Sequence, residues 1–187
     1  MSLKGISQAH ALAKAMKTTK SAKEEDVGPE LIVSSPLTRA LRTALIVFNE
    51  EEKRIVVHPG FAELNHRRPI PENKGRSVRE ILKDDSLIRL GLTTKVDLSH
   101  AEDLDWPRSS TMDGLEFLRS RPETRIVCFS HHNYILRQFD TYLPYGVPNC
   151  EPIHAIIEFY ASSGHRVRLA ETPHAWCNPF EVEDEDL

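Results

Sequence analysis

Leu31-Ile32-Val33-Ser34-Ser35-Pro36-Leu37-Thr38-Arg39-Ala40-Leu41-Arg42-Thr43-Ala44 sets an apolar triplet, two serines and a proline ahead of a helical apolar stripe that continues through Leu45 and Phe48. The triplet does not alternate with polar residues, so it reads as a short strand covered on both faces. The spacing predicts a helix after it, with Ser35 as N-cap and Pro36 at the first helical position. A second apolar run, Ile55-Val56-Val57, stops at His58-Pro59-Gly60, and a third, Ile126-Val127-Cys128-Phe129, leads through Ser130-His131-His132 into a helix carrying Tyr134, Ile135, Phe139 and Tyr142. Strands without alternation, separated by helices, predict an α/β fold with a mainly parallel central sheet and helices on both faces.

The remaining segments fit around that plan. Leu3 to Met16 has a stripe of Leu3, Ile6, Ala9, Leu12, Ala13 and Met16 in strong helix formers, and Lys17 to Pro29 reads as a polar connector. Phe61 to Lys74 is too rich in Pro, Arg and Asn for regular structure. Arg76 to Leu92 predicts two short helices broken near Asp84-Asp85, Thr93 to Arg108 a long insertion, and Thr111 onward a helix with Met112, Leu115, Phe117 and Leu118, closed by Pro122. Ala155 to Tyr160 is the last expected strand. Residues 1–175 are expected to form a single domain and 176–187 an acidic C-terminal tail, with its charges concentrated from Glu181 to Asp186.

Composition narrows the function classes. In 187 residues, 24 Lys plus Arg against 28 Asp plus Glu leave a net charge of −4. That charge gives no general attraction to nucleic acid or to anionic membranes, so neither is expected as a partner. No apolar run approaches the roughly 18 residues of a membrane span. The N-terminus leads straight into the Ala-rich helical pattern with no signal-like apolar region, so the expected compartment is the cytoplasm. Cys128, Cys150 and Cys177 lie 22 and 27 residues apart, a spacing of neither a zinc ribbon nor a disulfide framework, and read as free thiols. No metal and no cofactor is expected, and the pattern assigns no oligomeric state.

In open α/β sheets, ligands bind beyond the carboxyl ends of the strands, where helix N-termini offer free N–H groups. Ser34-Ser35 and Ser130-His131 both fall there. Arg39, one turn into its helix, can bring a planar five-donor group to an anion at the helix start, although a surface Arg capping a carboxylate has the same spacing. His131 can donate to an oxyanion or shuttle a proton, and His131-His132 also reads as a surface pair or as the start of a metal-dependent hydrolase site. Glu63, after the second strand, is either a solvated loop residue or a partly desolvated carboxyl held protonated as a general acid.

The Ser34–Ala44 stretch resembles the Ser-Pro-x-x-Arg-Ala-x-Gln-Thr signature of the histidine phosphatase superfamily, the phosphoglycerate mutase-like proteins. Ile126–His132 is similar to that family's strand-Ser-His-Gly motif, Leu3–Leu12 to its Gly-x-x-Gln-Ala helix, and Phe61-Ala62-Glu63 to its Leu-x-Glu. The resemblance spans about residues 3 to 160. It implies a phosphate-binding set of Arg39, Ser35, Ser130 and His131, with Glu63 and His131 catalytic: Arg39 grips the phosphoryl group, His131 stabilises its charge and Glu63 protonates the leaving oxygen. The implied partner is a phosphorylated small molecule or phosphate anion. The family's nucleophile is a different histidine, in an Arg-His-Gly motif ending the first strand, and this sequence contains no Arg-His-Gly. The expectation is therefore a fold lacking its first strand, with a gap beside its neighbours, and a chain inactive alone: a truncated phosphomonoester hydrolase or a non-catalytic pseudophosphatase. Arg42 stands where the family has Gln, and His132 where it has Gly, so a ring there is expected to crowd the pocket.

Overall fold

The computed structural model describes residues 1–20, 28–63, 73, 75–101, 113–139, 149–161 and 164–170. Its first helix, α1, spans Leu3–Lys20, longer than the apolar stripe. Lys17-Thr18-Thr19-Lys20 contains no Gly or Pro, so polarity alone does not end the helix.

Strand β1 (Leu31–Ser34) is followed by α2 (Thr38–Val47) and β2 (Ile55–Val57). Three one-turn helices come next, α3 (Val78–Ile81), α4 (Asp85–Ile88) and α5 (Leu92–Lys95). The break between α3 and α4 falls where the sequence placed it, because the Asp84 carboxylate accepts from Ser86 N and Leu87 N and so starts a new helix. Gly91 turns the chain into α5 at φ 89°, a left-handed backbone that favours glycine.

The predicted insertion is thus partly regular: α5 runs directly into β3 (Val96–Asp97), an edge strand beside β2. A two-residue strand leaves no periodicity to read. Helix α6 (Gly114–Arg119), β4 (Ile126–Phe129) and α7 (His132–Gln138) match their sequence patterns. Met112, Trp106-Pro107, Tyr142, Cys177 and the acidic tail lie outside the described residues.

β1 to β4 form one parallel sheet in the order β3-β2-β1-β4. Alternate β1 residues feed opposite faces. Ile32 joins Leu41, Leu45, Phe48, Ile81 and Leu87 on the side of α1 to α5, while Leu31 and Val33 join Phe61, Leu115 and Tyr134 on the side of α6 and α7. β1 is buried throughout, which is why it reads as an uninterrupted apolar run, whereas β4 is half-buried with Cys128 exposed.

The last strand expected from the sequence, β5 (Ala155–Phe159), pairs antiparallel with β6 (His165–Leu169), which the sequence reading did not find. His165-Arg166-Val167-Arg168-Leu169 does alternate, but with a single residue, Val167, buried. This hairpin is a separate two-stranded sheet. Between its β5 edge and β4 lies a cavity of about 1460 Å³. No helix among the described residues is long and apolar enough to cross a membrane.

Candidate active site

The carboxyl ends of β1, β2 and β4 meet at one place. β1 ends in Ser34 and Ser35, both fully buried, and the Ser35 N–H donates to Phe129 O at the end of β4 over 2.9 Å. That bond holds Ser35 in the sheet layer, and the proline after it favours an extended backbone. The helix consequently begins later than predicted: Leu37 is the N-cap of α2, with no side-chain cap bond, and Ser35 is not the cap. The Ser35 hydroxyl instead accepts from Leu37 N at 3.2 Å and lies 2.8 Å from His131 Nε2.

His131 is 6% exposed and stands immediately before α7. Burial, with the adjacent Arg39 guanidinium as the second cause, pushes its imidazole down to about 3. The ring is neutral at pH 7, so one nitrogen donates and the other accepts.

Arg39 lies in the first turn of α2 and donates from Nη2 to Asn73 Oδ1 at 2.8 Å. Asn73 is itself buried. Sequence reading missed it because it falls in the irregular Pro- and Arg-rich stretch, where spacing carries no information about distance. Thr43 Oγ donates back to Arg39 O at 2.9 Å, one turn along the helix.

Glu63 is brought in by the turn after β2. His58 is buried, its Nδ1 accepts from Gly60 N at 3.1 Å, and its ring stacks on Phe117 with centroids 4.4 Å apart. These contacts shape the 3-10 turn Pro59–Phe61. Ser130 Oγ donates to Phe61 O at 2.8 Å, and Glu63 Oε1 accepts from Tyr134 N at 3.2 Å. The turn is therefore fastened to β4 and α7, and Glu63 sits half-buried against the start of α7.

Of the expected residues, Arg39, Glu63, Ser130 and His131 all line one opening, and Ser35 stands directly behind His131. Ser130 uses its hydroxyl proton on the Phe61 carbonyl, which makes it a tie between elements as well as a pocket residue. His132 is exposed, at the rim of the opening. Arg42 has a buried Nε with no partner among the described residues. Among those residues, no group of three or more His, Cys, Asp or Glu side chains is arranged to hold a metal ion.

A cationic guanidinium, a neutral imidazole and a carboxyl around a single opening suit an oxyanion and the protonation of an oxygen attached to it. The model of the histidine phosphatase superfamily (branch 1) matches residues 1–153. This chain belongs to the histidine phosphatase superfamily. The match spans the strand ends that carry Arg39, Glu63 and His131, and membership brings phosphatase- or mutase-type chemistry in general. The mixed α/β architecture, with helices flanking a parallel sheet, agrees with a histidine phosphatase fold. Among curated proteins, none matches the chain.

Proposed function

We propose that this histidine phosphatase domain binds the phosphoryl group of a phosphomonoester, as the phosphate-handling part of a hydrolase that works through a phosphohistidine. The observation that carries the reading is the convergence of Arg39, His131 and Glu63 from three strand ends on one opening.

In this scheme Arg39 neutralises the phosphoryl oxygens, and its bond to Asn73 fixes the plane of the guanidinium. Neutral His131, oriented by Ser35, donates one N–H to an oxygen as negative charge builds. Glu63 delivers the proton to the departing alkoxide oxygen. The attacking nitrogen of a phosphohistidine route belongs to an Arg-His-Gly motif, which this sequence does not contain. The chain alone therefore binds phosphate and turns over nothing.

A non-catalytic phosphate-binding module is the second reading, and the lack of Arg-His-Gly favours it. Both readings share the pocket. The test measures thermal unfolding with inorganic phosphate or p-nitrophenyl phosphate, together with p-nitrophenolate release. The expected outcome is a raised Tm with either anion and release at background. No rise with either would refute phosphate binding, and turnover abolished by Arg39→Ala would reveal a nucleophile within this chain.

A further inference from the structure

The turn that carries Glu63 is started by one imidazole. His58 follows β2 directly, is 6% exposed, and donates from its backbone N–H to Ser34 O at 3.0 Å. Its Nδ1 accepts from Gly60 N at 3.1 Å, the bond that caps the 3-10 turn Pro59–Phe61. A neutral ring whose Nδ1 accepts carries its proton on Nε2. An imidazolium has an N–H at both nitrogens, so a proton on Nδ1 sets two donors against each other and removes the cap.

The surroundings of the ring oppose its charge while the turn is closed. One face stacks on Phe117 of α6 at 4.4 Å, and Phe61 stands edge-on at 5.9 Å, so water is kept from the ring. From the segment after β3, His100 approaches with ring centroids 5.8 Å apart. The Arg121 guanidinium lies over Phe117, 5.8 Å from its centroid. Two carboxylates complete the charged groups of this corner. Asp97, at the end of β3, is bound first to Ser99 N and lies near Arg54 and His100. Glu63 is on the turn itself and accepts from Tyr134 N at 3.2 Å.

That last bond ties the turn to the start of α7. Tyr134 N belongs to the first turn of the helix, where amides have no partner within the helix, so its protection depends on where Glu63 stands.

We propose that His58 is the positioning residue of Glu63 and acts as a protonation lock: the neutral imidazole closes the turn and presents Glu63 to the start of α7, and the imidazolium opens the turn and withdraws it. The proposal rests on the reading of Glu63 as proton donor, and it gives that donor an acid limit set outside the phosphate pocket. Opening takes up a proton, so the ratio of closed to open turn falls about tenfold for each pH unit below the ordinary imidazole value of about 6.5.

The test follows backbone amide exchange by nuclear magnetic resonance in the full chain and in His58→Asn at pH 7.5, 6.5 and 5.5. Asn offers an acceptor oxygen close to the place of Nδ1 and does not titrate. In the native chain, protection of the Gly60 and Tyr134 amides should fall together by about tenfold between pH 6.5 and 5.5. In His58→Asn the fall should be less than about twofold, although His100, His131 and His132 are shared by both proteins. The Val33 amide, inside β1, should stay the more strongly protected in both, which makes the opening local. Equal pH dependence in the two proteins would overturn the proposal. Loss of protection at Gly60 without loss at Tyr134 would overturn it too, because His58 would then shape a turn without positioning Glu63. Should His58→Asn not fold, the native chain decides: the His58 ring carbons must titrate with the same midpoint as the two amides, and a different midpoint refutes the lock. Exchange reads the turn alone, whereas phosphate binding and turnover read the assignment of Glu63, so failure of one is distinguishable from failure of the other.

Discussion

Acidification from pH 7 should destabilise this protein through His131. The imidazole falls from about 6.5 in an unfolded chain to about 3 in the folded one. Its folded value is depressed, so the stability it contributes is present above the unfolded value and is lost as pH falls. Below about pH 6.5 the unfolded state takes up a proton that the folded state refuses, and stability drops by roughly 1.4 kcal/mol per pH unit until the pH nears 3. Between pH 6.5 and 5 the loss is about 2 kcal/mol, a sizeable part of the roughly 5–15 kcal/mol that holds a domain together. Glu30, Asp84, Asp97 and Glu123 all have carboxyls held below their ordinary values by hydrogen bonds, so they titrate beneath this window. The assay is urea unfolding followed by far-ultraviolet circular dichroism at pH 7, 6 and 5, for the native chain and for His131→Gln. The other histidines are common to both, and the comparison concerns slopes, so a uniform loss of stability in the variant does not affect it. The native chain should show the steeper dependence. Equal slopes would refute the argument, because His131 would then be protonated as readily folded as unfolded.

Gly114→Ala places a Cβ 2.6 Å from the Tyr134 hydroxyl and 3.0 Å from the backbone oxygen of Gly60. It should destabilise by about 1–3 kcal/mol in chemical denaturation, because backbone cannot yield as a flexible side chain does. Asp84→Ala removes the cap of α4 and the partner of Arg76, and should cost about 1–2 kcal/mol at pH 7. Hydrogen bonding, first from the Ser86 hydroxyl, pulls Asp84 down to about 2. Its contribution is therefore complete above the ordinary Asp value and should vanish as pH falls toward 2, which acid titration of the native and variant chains will show.

The parts of this fold that were legible in the sequence are those with two-sided burial. Leu31–Val33 is apolar on both faces and buried throughout, so it names its own environment, while Ile126–Phe129 carries the same pattern but is only half-buried, with Cys128 exposed. Val96–Asp97 had no such signature, being two residues long, and β6 carries Arg166 and Arg168 on an open face. The start of α2 was misplaced because a tertiary bond, Ser35 N–H to Phe129 O, competes with local capping preference. Arg39, Glu63 and His131 were readable because strand ends and helix starts are fixed by chain order. Asn73 and His58 were not, since their parts in the site depend on where an irregular segment folds back. Asn73 meets Arg39 across 34 positions, and His58 acts by shaping the turn that delivers Glu63.

The central claim is that these strand ends make one oxyanion site. Isothermal titration with orthovanadate, comparing the native chain with Arg39→Ala and Arg39→Lys at pH 7, tests it most directly. Saturable binding is predicted, weakened by at least about tenfold in Arg39→Ala and only partly restored by Lys, whose single ammonium cannot reproduce the planar fork. Binding of equal strength in all three proteins would contradict the account.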